Sequence, residues 1–143
     1  MHQPPLHLAD FIGPVVSALV FIAIMSAVRE PARRSFNAIL LAGAAGVYLS
    51  GGLGPWELIF PAVLAVVAYR GLRSYQSIGL GWFLHSGWDL VHHLYGQPIW
   101  PWMPTSSFGC LIFDAAIAIW FVAGAPSVVA LGARASPPRV AAG

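Results

Sequence analysis

The chain consists of five long apolar segments separated by short linkers that are polar or rich in proline and glycine. Each segment predicts one helix, so we predict an all-α fold, a polytopic membrane helix bundle with five transmembrane helices. Several segments are shorter than the roughly 20 residues of an ideal span, which bilayer thinning or burial in a bundle accommodates. The segments are Phe11 to Val28, Phe36 to Ser50, Trp56 to Tyr69, Ile78 to Tyr95, and Phe108 to Ala125 with a continuation toward Leu131.

The placement of arginine distinguishes five spans from four, the alternative in which the second segment is re-entrant. All seven basic residues are arginines, and they lie in the linkers "REPARRS" and "YRGLRS" and in the tail "ARASPPR". Five spans place these stretches on one face, which the positive-inside rule makes cytoplasmic, whereas four spans divide them between two faces. We therefore predict an outside N-terminus, a cytoplasmic C-terminus, one domain over residues 1–132 and a disordered cytoplasmic tail over 133–143.

Composition supports the membrane interpretation. Hydrophobic residues make up 58% of the 143 residues and charged residues only 8%, against roughly 25% charged residues in soluble domains. The N-terminal "MHQPPLHLAD" lacks the basic segment of a signal peptide, so we expect the first apolar segment to be retained. No basic patch alternates with exposed aromatic residues, so we expect no nucleic-acid partner. The single cysteine, Cys110, excludes an intrachain disulfide and predicts a buried, inert thiol.

The fourth segment contains an unusual group of ionisable residues, in the stretch "GWFLHSGWDLVHHLYG". At helical spacing His85, Asp89 and His92 lie within roughly 60° of one another on one face. His93 lies further round the helix but still near. Trp82 and Trp88 flank this face, and we expect both to line the apolar part of a binding pocket.

Acidic residues of other segments lie at a similar depth. Asp114 is about two turns into the fifth segment, and Glu57 opens the third. Because an unpaired charge in hydrocarbon costs roughly 2.5 to 3.5 kcal/mol, we expect these groups to face one another in a shared internal site near the outer face. In the alternative, His92, His93 and Glu57 are separate interfacial residues that extend toward water.

Four chemistries are compatible with such a site. A divalent metal (zinc, iron or manganese) is the first, although no HExxH or ExxH motif is present. Metal-free acid–base catalysis is the second, with a coupled His85–Asp89 pair and an Asp114 that stabilises a developing cation. A proton or ion relay and a haem held by two histidines are the others. The candidate catalytic residues are His85, Asp89 and Asp114, and the candidate metal ligands are His85, Asp89, His92, His93, Asp114 and Glu57.

A row of small residues suggests a partner. Ala42, Gly46 and Ser50 recur at every fourth position of the second segment, and such a row lets another helix approach closely. It favours a homo-oligomer or a partner in a membrane complex. The other expected partners are membrane lipid and a lipid-like small molecule.

The motifs "REPARR", "YRGLRS", "LHSGWDLVHHLYG" and "PTSSFGC" followed by Asp114 resemble a small bacterial integral-membrane family classed as a domain of unknown function. This resemblance covers nearly the whole chain and implies a multi-pass protein of the bacterial inner membrane. A weaker resemblance, at the site alone, is to the sterol isomerases of the emopamil-binding-protein type. It implies that His85 and Asp89 take the positions of a His-xxx-acid pair that handles a carbocationic lipid, with Asp114 or Glu57 as the further carboxylate.

The function we predict is a metal- or acid–base-assisted enzyme that acts on a lipid-like or isoprenoid substrate. The alternatives are a non-catalytic subunit of a larger membrane complex that binds a cofactor or metal, and a proton or ion relay.

Overall fold

The computed structural model of the chain describes residues 5–49 and 51–128. Within these residues the chain forms five α-helices and no β-strand, so the prediction of an all-α fold is confirmed. Leu131 and the predicted tail, residues 133–143, lie outside the described residues. The helices are α1 (Leu8–Ala27), α2 (Ala32–Ala44), α3 (Trp56–Gly71), α4 (Tyr75–Tyr95) and α5 (Ser106–Val122).

Helix α4 is the central element of the bundle. It packs most extensively against α5 and also contacts α2 and α3, whereas α1 packs against α5. The apolar core around α4 includes Leu41, Leu64, Ile78 and Phe121, none of which is exposed. A helix surrounded on several sides is shielded from the exterior over much of its surface, so α4 is the element on which polar groups are most easily buried.

Successive helices run in opposite directions. The Gln97 amide after α4 donates to the Gly51 carbonyl after α2 at 2.8 Å, and Thr105 before α5 donates to Asp10 in the first turn of α1 at 2.9 Å. We call the end formed by residues 45–49, 51–55 and 96–105 the loop end. The opposite end, the arginine end, carries all the arginines that the structure describes, namely Arg29, Arg33, Arg34, Arg70 and Arg73.

A polar network closes the arginine end. Arg33 Nε donates to Glu30 Oε1 at 3.0 Å and to the Tyr75 hydroxyl at 2.9 Å, and that hydroxyl in turn donates to Glu30. Burial by itself raises the pKa of the Glu30 carboxyl, but the hydrogen bonds from Tyr75 and Arg33 outweigh burial and hold this pKa below its usual value. The network ties the turn between α1 and α2 to the first turn of α4.

The second helix is shorter than predicted. The apolar pattern continues to Ser50, which lies outside the described residues, but α2 ends at Ala44. Gly46 and Val47 donate to carbonyls three residues earlier, so the chain tightens into turns where glycine weakens the helix. Ala42 and Gly46 are both exposed, so neither brings two helices of this chain together.

Among the described residues, α1 is the one helix long and apolar enough to cross a membrane, and only 11% of its apolar window is buried. Helix α5 is apolar but shorter. A single apolar helix near an N-terminus is also typical of a signal sequence. Five spans and their orientation therefore stay predictions.

Candidate functional site

The imidazole of His85 lies between two carboxylates in the middle of the bundle. Its Nδ1 atom is 2.7 Å from Asp114 Oδ2 and 3.3 Å from Asp89 Oδ2. One ligand atom from each of the three residues lies within 4.8 Å of the others, and all three side chains are almost completely buried. We call these three residues the His85 cluster.

Local helix geometry and helix packing bring the His85 cluster together. His85 and Asp89 are one turn apart on α4 and therefore share a face. Asp114 comes from α5, the neighbour against which α4 packs most closely. That close packing depends on Gly79 of α4, because an added Cβ there would lie 2.8 Å from the Val122 backbone nitrogen and 2.9 Å from the Ala118 carbonyl oxygen.

The other ring nitrogen of His85 points to the end of α2. Nε2 lies 3.0 Å from the Ala44 carbonyl oxygen, which also accepts the Val47 amide and uses its second lone pair for His85. A carbonyl oxygen only accepts hydrogen bonds, so Nε2 donates its hydrogen to Ala44. Nδ1 faces two carboxylates, an arrangement that is stable when Nδ1 carries a second proton, which makes His85 an imidazolium paired with Asp89 and Asp114, or when a cation lies between the three groups.

Tyr48 completes the polar environment of Asp89. Its hydroxyl donates to Asp89 Oδ1 at 2.7 Å, and the residue is only 3% exposed. One oxygen of Asp89 is thus held by Tyr48 while the other faces His85. Tyr48 is placed there by the turns that follow α2, the part of the chain where the predicted helix does not form.

His92 and Glu57 lie near the loop end, outside the His85 cluster. The His92 ring stacks on the Tyr48 ring at a centroid distance of 3.7 Å and meets the edge of Trp88 at 5.1 Å. Glu57, in the first turn of α3, accepts the Leu53 amide at 2.7 Å. Both residues are buried.

His93, Trp82 and Trp88 do not join the His85 cluster. His93 is half-buried against Phe108 of α5, at a centroid distance of 5.3 Å. The Trp82 ring meets the edge of the His85 ring at 5.9 Å, and Trp88 stacks on Phe60 at 4.6 Å. Trp82 and Trp88 therefore pack against His85 and Phe60, and neither lines the groove between α1 and α5.

A groove of about 460 Å³ runs between α1 and α5. Asp10, Thr105 and Ser106 border it at the loop end, and it is otherwise lined mainly by apolar or small residues that include Gly13, Pro14, Gly109, Cys110 and Phe113. Cys110, which lines the groove, lies one turn before Asp114 on α5, whereas the three residues of the His85 cluster are not among the lining residues. The thiol is partly exposed rather than fully buried.

Two contributors to the site were missing from the sequence interpretation, Tyr48 and the Ala44 carbonyl. Tyr48 is the only tyrosine in the second apolar segment. A tyrosine hydroxyl in an apolar segment is the sequence feature that could have indicated a buried hydrogen bond. The Ala44 carbonyl leaves no signal at all in the sequence, because any residue type at a helix end offers the same group.

The fold and the site define an all-helical protein with a buried cluster of one histidine and two aspartates on its two most closely packed helices. The chain belongs to the family of unknown function DUF6010, whose model matches residues 9–127. No curated protein and no solved structure matches the chain significantly.

Proposed function

We propose that the chain is a multi-pass protein of the bacterial inner membrane, with all five helices in the bilayer and the N-terminus outside. Each helix presents a large aliphatic side chain to the exterior, with exposures between 53% and 66% for Leu19, Ile39, Val66, Leu80 and Ile119. Soluble monomers rarely expose apolar surface on this scale. The collection of the described arginines at one end of the bundle supports the orientation.

The His85 cluster is proposed to bind one divalent cation, with zinc, iron and manganese as the candidates. The observation that carries this proposal is the orientation of the His85 ring, whose Nδ1 faces two carboxylates while Nε2 donates to the Ala44 carbonyl. Histidines that bind metals typically donate their other nitrogen to a carbonyl or carboxylate in this way. One nitrogen and two carboxylate oxygens form a donor set that suits these metals and leaves a position for a substrate atom.

The reaction proposed for this site is metal-assisted chemistry on a lipid-like or isoprenoid substrate held in the groove between α1 and α5. A cation at the His85 cluster would polarise an oxygen atom of the substrate, while Asp89 and Asp114 would balance its charge. The groove has the volume and the largely apolar lining of a small-molecule site. Cys110 and Phe113 would contact the part of the substrate nearest the metal.

Metal analysis of the purified protein tests the binding proposal. We expect about one zinc, iron or manganese ion per chain, and loss of at least nine-tenths of it in His85→Ala and Asp114→Asn, since each change removes a ligand. Tyr48→Phe leaves the ligands in place but releases Asp89, so the Kd should rise by about 10- to 100-fold. The measurement is elemental analysis with competitive metal titration.

His93→Ala is the matched control for metal analysis, because His93 lies on the same helix but packs against Phe108. It should retain the full metal content. Metal-free parent protein would contradict the metal proposal. The buried Tyr48–Asp89–His85–Asp114 chain of polar groups would then favour acid–base catalysis or a proton relay, in which a proton occupies the position between Nδ1 and the carboxylates.

Blocking the groove tests the substrate proposal. A Cβ added at Gly13, which lines the groove, meets no atom within 4 Å, so the side chain of Gly13→Phe can start without a clash and extend its ring into the groove. We expect at least a tenfold slower alkylation of Cys110, the only cysteine, by a membrane-soluble maleimide, together with loss of co-purified lipid-like molecules by mass spectrometry.

Gly43→Phe is the control for the groove, since a Cβ at Gly43 also meets nothing within 4 Å and Gly43 lies outside the groove lining. Equal alkylation rates in the two variants would show that the groove is not the way to Cys110. Co-purification of a protein partner in place of a lipid would favour the alternative function, a metal-binding subunit of a membrane complex.

A further inference from the structure

His92 is a buried imidazole whose polar atoms are not used within the described part of the chain. The residue is 1% exposed, and neither ring nitrogen makes a hydrogen bond to any described residue. The backbone carbonyl of Gln97 lies near the ring but is not in hydrogen-bonding geometry with either nitrogen, and the Gln97 amide donates to the Gly51 carbonyl. Buried polar atoms without partners are uncommon in native proteins, and each calls for a ligand or a functional reason.

Glu57 and His92 lie against the same side of Gly51, where a side chain would begin in any other residue. A Cβ built on Gly51 would lie 3.0 Å from Glu57 Oε1 and 2.7 Å from His92 Nδ1. Glu57 Oε1 and His92 Nδ1 are therefore neighbours, and both lie close to Gly51, which has no side chain to separate them. Both atom types bind zinc, iron and manganese.

A second cavity, of about 220 Å³, opens next to this pair at the loop end. Tyr48, Gly51 and Gln97 are among its lining residues. Gly51 lies between the cavity and the Glu57–His92 pair. Tyr48 lies between the cavity and the His85 cluster, because the Tyr48 side chain lines the cavity and also donates to Asp89. Tyr48 and Gly51 thus both border the cavity, with Glu57 and His92 behind Gly51, the His92 ring stacked on Tyr48, and the His85 cluster behind Tyr48.

The charges of the bundle favour cations along this route. The described arginines all lie at the arginine end, whereas Asp10, Glu57 and the two carboxylates of the His85 cluster lie at the loop end or between the two ends. A region lined by one sign of charge attracts ions of the opposite sign and raises their local concentration.

We propose that Glu57 and His92 form a transient site for a divalent cation, on the route from the loop-end cavity to the His85 cluster. This inference rests on the proposed metal binding at that cluster. A cation from the loop side passes Gly51, exchanges part of its hydration for Glu57 Oε1 and His92 Nδ1, and moves on when the Tyr48 hydroxyl turns away from Asp89. Two protein ligands hold a cation weakly, as a transfer step requires.

Zinc release into an excess of a fluorescent chelator tests this route in the purified, zinc-loaded protein. His92→Phe keeps a ring against Tyr48 but removes both nitrogens, and Glu57→Gln keeps an acceptor for the Leu53 amide but removes the charge. We expect both variants to bind as much zinc as the parent and to release it at least tenfold more slowly. His93→Phe, on the same helix and away from the route, should release zinc at the parent rate.

Each outcome decides the inference. Parent-like release from both variants at full zinc content would overturn it. Loss of bound zinc from His92→Phe would also overturn it, because His92 would then belong to the stable ligand set. A parent protein that binds no zinc, iron or manganese would refute the proposed metal function itself, and the route with it.

Discussion

Replacing Asp89 by leucine should lower the free energy of unfolding by about 3 to 5 kcal/mol, the usual cost of removing one partner from a buried charged pair. Asp89 is not exposed at all, and it accepts one hydrogen bond from Tyr48 while facing His85. The substitution would leave the Tyr48 hydroxyl without its acceptor and His85 with one carboxylate. Denaturation in mixed micelles, with a metal chelator present so that metal binding does not contribute, measures the effect.

Asp89→Asn is the informative companion to Asp89→Leu. The amide keeps an oxygen for Tyr48 and nearly the same volume, so the loss should be about 1 to 3 kcal/mol. Asp10→Ala removes a surface carboxylate that accepts a hydrogen bond from Thr105, and we expect a much smaller loss than for Asp89→Leu. Parent-like stability of Asp89→Leu would contradict the buried position of Asp89 and the site built on it.

Gly79→Ala should lower the free energy of unfolding by about 1 to 3 kcal/mol, because it overfills the contact between α4 and α5. The added Cβ would lie 2.6 Å from Val122 Cγ2, 2.8 Å from the Val122 nitrogen and 2.9 Å from the Ala118 oxygen. Two of these atoms belong to the α5 backbone, so a side-chain rotation cannot relieve the clash. The helices would move apart, and Asp114 would move away from His85.

Gly87→Ala is the matched control on the same helix. A Cβ at Gly87 meets no atom within 4 Å, so the substitution should be neutral or stabilising by up to about 1 kcal/mol through helix propensity. The same micelle denaturation compares the two variants, and metal content serves as a second measurement. Equal stability of the two variants would refute the close contact between α4 and α5 at Gly79.

Much of the fold was accessible from hydrophobic patterning. The five apolar segments correspond to five helices, and the linkers with arginine, proline and glycine correspond to the connections between them. The largest difference is at α2, predicted to reach Ser50 and observed to end at Ala44. Hydrophobicity alone does not mark that end, because residues 45–49 stay apolar while glycine and the inward position of Tyr48 stop the helix.

The candidate site could be predicted only in part from the sequence pattern. Helical periodicity placed His85, Asp89 and His92 on one buried face, where the structure has them. The depth of Asp114 predicts its place in the site, and it lies against His85. Depth also predicts Glu57 there, and position on the helix predicts His93, yet both lie outside the His85 cluster. Depth along a helix says nothing about which direction a side chain faces.

The sequence by itself determined the number of helices and the helix face on which charged groups are hidden, because both follow from the spacing of apolar and polar residues along one segment. Only the tertiary structure decided which groups of different segments meet: Asp114 with His85, the Tyr48 hydroxyl with Asp89, and the Ala44 carbonyl with the far nitrogen of His85. Such contacts depend on how closely two helices approach and how each is rotated about its axis. The distance between two helices and their rotation depend on packing between segments, at positions such as Gly79 and Gly51. The pattern of residues within one segment does not predict them.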